Sequence, residues 1–179
     1  MITVLLIDDE ESLLHLCKTY LERASDIKVD TVLSAREGED RLLEKEYDAI
    51  VTEYHMPWRS GLELLKRIRM RRDRTPLIIF TNKGSEDVAI DSLNSGADFY
   101  LQKGGNPKAK FQALEHMVRE AVHKRRWEKA LALKRLAFDE SPQAQLIIDI
   151  KGNILEMNPS FKLLWGYVDQ NEVVGGSLN

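Results

Sequence analysis

Residues 47–69 read YDAIVTEYHMPWRSGLELLKRIR, and the order of residue types in this stretch decides the fold. An apolar, β-branched run, AIVT at 49–52, ends on the carboxylate of Glu53. A turn containing Pro57 follows, then Ser60 placed as an N-cap, then an amphipathic helical pattern over 61–72. Strand, acid, loop and helix in this order form the unit of a parallel α/β sheet, whose chemistry gathers at the carboxyl ends of its strands.

The unit recurs in both directions. Upstream, TVLLIDD (3–9) closes on Asp8 and Asp9, and IKVDTVL (27–33) is a further strand. Downstream, PLIIFT (76–81) closes on Thr81 and ADFYLQK (97–103) on Lys103. Amphipathic helical stretches lie between them at 11–23, 35–46, 61–72 and 86–94, and from 107 onward. Ser85 is placed as another N-cap, Pro107 suits a first turn, and Gly96 follows the fourth helix as a C-cap glycine does. Five such repeats predict an α/β, doubly wound (βα)5 flavodoxin-like three-layer sandwich with parallel sheet order 2-1-3-4-5 and right-handed crossovers.

A chain of 179 residues has room for one full domain and part of another. Its composition, 43% hydrophobic and 31% charged, is that of an ordinary globular protein, and a net charge of −3 speaks against a general nucleic-acid binder. The charge is uneven, with an acidic first third and basic stretches at 66–74 and 108–135. The single cysteine, Cys17, falls at an apolar helical position and reads as a small buried hydrophobe in a reducing compartment. The N-terminus lacks the basic region and long apolar core of a signal peptide, and no apolar run reaches membrane-spanning length. A cytoplasmic protein with no membrane or nucleic-acid partner is expected.

The last helix runs on. No Pro or Gly interrupts residues 108–138, and Leu114, Met117, Ala121, Lys124, Glu128, Leu131, Arg135 and Phe138 follow three- and four-residue steps. A solvated linker helix and a dimer seam both fit this pattern. The basic run 123–126 reads as solvated surface. Ser141-Pro142 then breaks the helix, and QLIIDIKGNILEMN (145–158) reads as a β-hairpin joined by Lys151-Gly152. Asn158-Pro159 opens a short helix through Phe161, Leu164 and Trp165.

In the 2-1-3-4-5 order a crevice opens between the ends of the first and third strands, which carry Asp8, Asp9 and Glu53. Three converging carboxylates call for a cation, and hard oxygen ligands suit Mg²⁺. Lys103 adds a fixed positive charge and Thr81 a hydroxyl able to bond a phosphoryl oxygen. Taken singly, an acidic pair after a strand is more often a helix N-cap with first-turn acids, and a strand-end Thr or Lys is ordinary surface. All five at the correct strand ends point to an acyl-phosphate site.

Residues 1 to about 125 resemble a two-component response-regulator receiver domain of the CheY-like family. The resemblance rests on Asp8-Asp9, on the 47–69 stretch with Met56-Pro57, Gly61 and Leu65, on Thr81 in IIFTNKG, and on Tyr100 and Lys103 in GADFYLQKGG. It implies Mg²⁺ held by Asp8, Asp9, the acceptor carboxylate and the His55 backbone carbonyl, with Lys103 touching the phosphoryl group. It implies Thr81 and Tyr100 as the switch pair, relaying occupancy to the face of the fourth helix, fifth strand and fifth helix. Its expected partners are a sensor histidine kinase or phosphotransfer protein, a downstream output domain or protein, and a second copy through that face or the long helix.

Two positions depart from the family. Gly104 stands where a proline follows the lysine, which puts the cis peptide of that position in question. The phosphoacceptor position holds Glu53 rather than Asp. The extra methylene carries the carboxylate about 1.5 Å further, toward the space of a phosphoryl group. A single negative charge there imitates only part of a phosphate, roughly −1.5 to −2. A poorly phosphorylated, partly activated receiver is expected; a glutamate that merely fills the pocket is the plain alternative.

Residues from about 136 resemble the start of a PAS domain, on FDESPQAQLIIDIKGNILEMNPSFKLLWGY with Glu172 and Gly175. The expected organisation is a receiver at 1–125, an extended last helix or linker at 107–138, and the first part of a PAS domain at 139–179. No enzyme is expected. An aspartate-nucleophile phosphohydrolase would carry Asp-x-Asp after its first strand, and none of the four histidines sits in a kinase phosphoacceptor motif. The remaining rival is a phosphorylation-independent pseudo-receiver scaffold that acts by binding partners.

Overall fold

The structure, a computed structural model, describes residues 1–82 and 84–166; Glu172 and Gly175 lie outside the described residues. The chain divides into two compact units, Met1–Arg125 and Arg126–Asn179.

In the first unit, β1 (Ile2–Ile7), β2 (Ile27–Val32), β3 (Ala49–Thr52), β4 (Leu77–Thr81) and β5 (Phe99–Gln102) form one sheet in the order β2-β1-β3-β4-β5. Every neighbouring pair is parallel, as the strand–helix alternation requires. The intervening helices are α1 (Glu11–Leu21), α2 (Ala35–Glu44), α3 (Gly61–Met70) and α4 (Glu86–Asn94), with α5 (Pro107–Asp139) after the last strand.

Alternation along the strands sorts the core into two layers. Val4, Leu6, Val51 and Ile78 pack with Leu14 and Cys17 of α1 and with Phe111, Leu114 and Val118 of α5. Leu5, Ile7, Ile50 and Ile79 pack on the opposite face with Leu64, Leu65 and Ile68 of α3. Each fully buried Leu or Ile side chain contributes about 1.5–3 kcal/mol. Central strands covered on both faces must therefore be apolar throughout, which is why AIVT and LIIF show no alternation.

The helix starts follow the capping signals. Ser60 accepts from the Glu63 amide while the Glu63 side chain accepts from the Ser60 amide, a complete capping box. Ser85 caps α4 and Ser34 caps α2. Gly96 adopts a left-handed φ of 97° after α4. The first two helices end two residues before their sequence patterns fade, at Leu21 and Glu44. There side chains find tertiary partners instead: Glu22 accepts from the Val29 amide, and Lys45 reaches Asp30.

The dimer-seam pattern on α5 does not survive in its first half. Leu114 and Ala121 are buried and Met117 packs against the same core, so the sheet takes the apolar positions a partner helix would need. Arg119 holds this half in place with two 2.8 Å bonds to Asp26. Residues 126–137 are all exposed.

In the second unit, β6 (Leu146–Ile148) and β7 (Ile154–Met157) pair antiparallel, followed by α6 (Pro159–Trp165). The connection is longer than a turn at Lys151-Gly152. It takes in residues 149–153, because the Asp149 carboxylate accepts from the Lys151 and Asn153 amides at 2.7 and 3.0 Å and closes the loop itself. Asn158 is fully buried. Its oxygen accepts from the Gln145 and Phe161 amides, both at 2.9 Å, and its nitrogen donates to the Phe138 and Gln143 carbonyls. It thereby ties the end of α5 to the hairpin. Among the described residues no helix is long and apolar enough to cross a membrane.

Candidate functional site

The carboxyl ends of β1, β3, β4 and β5 bring Asp8, Glu53, Thr81 and Lys103 together, all buried. Lys103 Nζ lies 2.5 Å from Asp8 Oδ2 and 2.6 Å from Glu53 Oε2, bridging two acids that are 45 residues apart in the chain. Glu53 Oε1 accepts from the Thr81 hydroxyl, from the Tyr54 amide at 2.7 Å and from the His55 amide at 3.1 Å. The Asn82 amide approaches Oε2 at 3.4 Å. Asp8 receives less: the lysine, and the Glu10 amide at 3.0 Å.

That difference in donors sets the electrostatics. Burial disfavours charge on Glu53, but the Lys103 and Thr81 bonds outweigh it and hold the carboxyl below its usual range. On Asp8 burial wins over Lys103 and pushes the carboxyl up. Burial works against the Lys103 ammonium too, yet its bonds to Asp8 and Glu53 raise it above the ordinary lysine value. Glu53 is therefore the stronger acid of the two, and Lys103 is held as an ammonium between them.

Local structure explains the approach. Gly61, at the start of α3, stands so close to β3 that a Cβ would lie 2.1 Å from the Glu53 carbonyl oxygen. Only glycine lets the helix close over the strand end there. Asp9 and His55 are exposed. Tyr100 turns its hydroxyl inward, where it is buried without a hydrogen-bond partner among the described residues; a Cβ on Gly84 would lie 2.3 Å from it. Burial first, then the Glu53 charge, raise the Tyr100 phenol. Gly104 adopts φ 100°, and no cis peptide occurs among the described residues.

Asp8, Glu53, Thr81 and Lys103 thus meet as the strand order requires, while Asp9 stays apart. Among the described residues no three acidic, His or Cys side chains are grouped to hold a metal. Asp8 and Glu53 both bond the lysine, whose single positive charge offsets part of theirs. A divalent cation on Asp8 and Glu53 would have to displace the lysine from them. Sequence patterns also miss the backbone amides of Tyr54, His55 and Asn82, since no residue type announces an amide that turns inward.

A second ionic cluster has no signature in the sequence either. Glu39 of α2 is buried and accepts from Arg59 of the loop before α3, from Arg67 of α3 and from Arg71 at its C-cap, the latter two at 2.7 and 3.1 Å. Its partners lie 20 to 32 residues away, and in the helical pattern it looks like one more solvent-facing acid.

Residues 4–115 match the model of the response regulator receiver domain, so the chain belongs to that family, the receivers of two-component systems. Residues 132–178 match a PAS domain model. The phosphate regulon transcriptional regulatory protein PhoB of Rhizobium meliloti is 34% identical over 120 residues, 66% of this chain and 52% of that protein; the chain thus spans about half the length of PhoB. The response regulator SaeR of Staphylococcus aureus is 28% identical across 99% of this chain and 77% of its own length. A crystal structure of a response regulator receiver domain protein from Clostridium thermocellum superposes with a TM-score of 0.64 at 29% identity, covering 71% of this chain and 98% of the other.

Proposed function

We propose that this chain is a receiver module whose acceptor position is held by Glu53 in an occupied-like state, and that it relays this state to a downstream PAS or output module. The observation that carries the reading is the pair of bonds from the Glu53 carboxylate to the Thr81 hydroxyl and the Lys103 ammonium. These two side chains are the ones that would register a phosphoryl group on a shorter aspartate. With its added methylene, glutamate brings a charge-assisted acceptor to them without covalent chemistry. The inward Tyr100 hydroxyl supports the same reading, with Thr81 and Tyr100 as the switch pair.

In this reading Lys103 and Thr81 act as sensors of the carboxylate and Asp8 as the second anchor of the lysine. Asp8, Asp9 and the His55 carbonyl would serve Mg²⁺ only after Lys103 leaves Asp8. Cognate partners would be a sensor histidine kinase or phosphotransfer protein upstream and an output domain downstream.

The test is labelling with a small phosphodonor and Mg²⁺, read by intact mass. Wild type is expected to stay unlabelled and Glu53→Asp to gain one phosphoryl group. Rapid Mg²⁺-dependent labelling of wild type overturns the reading. The second reading, a phosphorylation-independent scaffold, is favoured by the lysine that already bridges both acids. It wins if Glu53→Asp also takes no phosphate.

A further inference from the structure

The loop between β3 and α3 holds a feature the receiver chemistry leaves unused. Trp58 is wholly exposed, at 104% of its reference area, and sits at a left-handed φ of 69°. A bulky side chain rarely adopts this conformation, and such outliers cluster at ligand-binding sites. Here the loop presents an indole to water instead of to the core. Beside it lies a cavity of about 400 Å³ lined by Ser34, Arg36, Pro57, Trp58 and Arg59, within the roughly 300–1,000 Å³ range of small-ligand pockets. Ser34 follows β2 and Pro57 follows β3, and β1 lies between those strands in the sheet. The cavity therefore opens at the carboxyl edge, over the point where strand order reverses.

Its walls are chemically selective. Arg36 is exposed and has no hydrogen-bond or ion-pair partner among the described residues. Arg59 gives one terminal nitrogen to Glu39 and keeps its remaining N–H groups unbonded among the described residues. Glu39 carries one negative charge against the three arginines bonded to it, so this cluster keeps surplus positive charge. Opposing acids are Glu63, whose carboxylate bonds Ser60 and feels the Arg59 charge, Asp9, which is exposed, and Glu37, whose carboxylate bonds the Leu33 amide and the Ser34 hydroxyl. Two guanidinium groups suit a phosphate bidentately, and a free indole face suits a flat aromatic ring.

We propose that this crevice binds a mononucleotide, with its phosphate on Arg36 and Arg59 and its base stacked on Trp58. The assignment does not depend on whether Glu53 accepts or imitates a phosphoryl group. It is tested on the full chain by tryptophan fluorescence and calorimetry, with AMP, GMP, CMP and UMP as probes and adenosine and inorganic phosphate as part-ligands. At least one nucleotide should bind and quench, with both part-ligands weaker by roughly tenfold or more. Trp58→Ala should abolish the quench and weaken binding by roughly tenfold. Arg36→Gln should weaken it by a similar factor through the lost charge-assisted bonds. Melting curves should report both variants folded, because neither side chain makes a bond that holds the fold. Absence of binding by all four nucleotides overturns the proposal. So does binding that both substitutions leave unchanged, or inorganic phosphate binding as tightly as the nucleotides.

Discussion

Glu53 and Glu39 are both buried glutamates, each 6% exposed, and each carboxyl is held below its usual range against the cost of burial. Their partners differ in kind. Glu53 is met by a buried lysine, a buried hydroxyl and backbone amides, and the lysine is shared with Asp8. Glu39 is met by three arginines whose side chains are 33–46% exposed. The first arrangement is closed to solvent and cannot lose its cation without leaving buried charge unpaired. The second has cations to spare, in contact with water and screened by salt. A site built to switch needs the first kind of balance, because one change of charge is then felt undiluted. A cluster that fastens α2 to α3 works with the second.

The comparison breaks most visibly at Lys103. Lys103→Met should destabilise the protein by about 3–5 kcal/mol, as removing one member of a buried ion pair does, read from the denaturant midpoint. A loss under about 1 kcal/mol, the range of a surface pair, would show that the site is wetter than its geometry says. The same lysine gives the pH signature. Its folded pKa is raised above 10.5, so its contribution is complete below 10.5 and is lost as pH rises through the folded value. The difference in stability between wild type and Lys103→Met should therefore shrink in that alkaline window.

Glu39→Gln comes next, with an expected loss of about 1–3 kcal/mol from the charged hydrogen bonds removed. Added salt should narrow the gap between Glu39→Gln and wild type, while the Lys103→Met gap holds. Equal salt response at the two sites would erase the distinction between them. Arg71→Ala should have the smallest effect, about 0–1 kcal/mol, since Arg59 and Arg67 still neutralise Glu39. A loss as large as that of Glu39→Gln would mean the third arginine is not surplus.

Of these two glutamates only Glu53 was legible in the sequence. It ends an apolar strand inside a specific run, so its address follows from the one-dimensional pattern. Glu39 sits mid-helix, and its burial follows from how α3 lies beside α2, which no local pattern records. The same divide appears on α5. Its helical reach to Asp139 was foreseeable from composition, whereas the burial of Leu114 and Ala121 against the sheet required the fold.

Alternation, apolar runs and capping residues act over a few positions, so the sequence by itself determined the strands, the helices, their parallel order and the acids, threonine and lysine at the strand ends. Only the tertiary structure decided that Lys103 reaches both Asp8 and Glu53, that Glu53 takes up the Thr81 hydroxyl, and that Asp9 stands apart. Those outcomes depend on side-chain reach across 50 and 95 residues of chain. Burial there makes each charge seek whichever partner the packing brings within bonding distance.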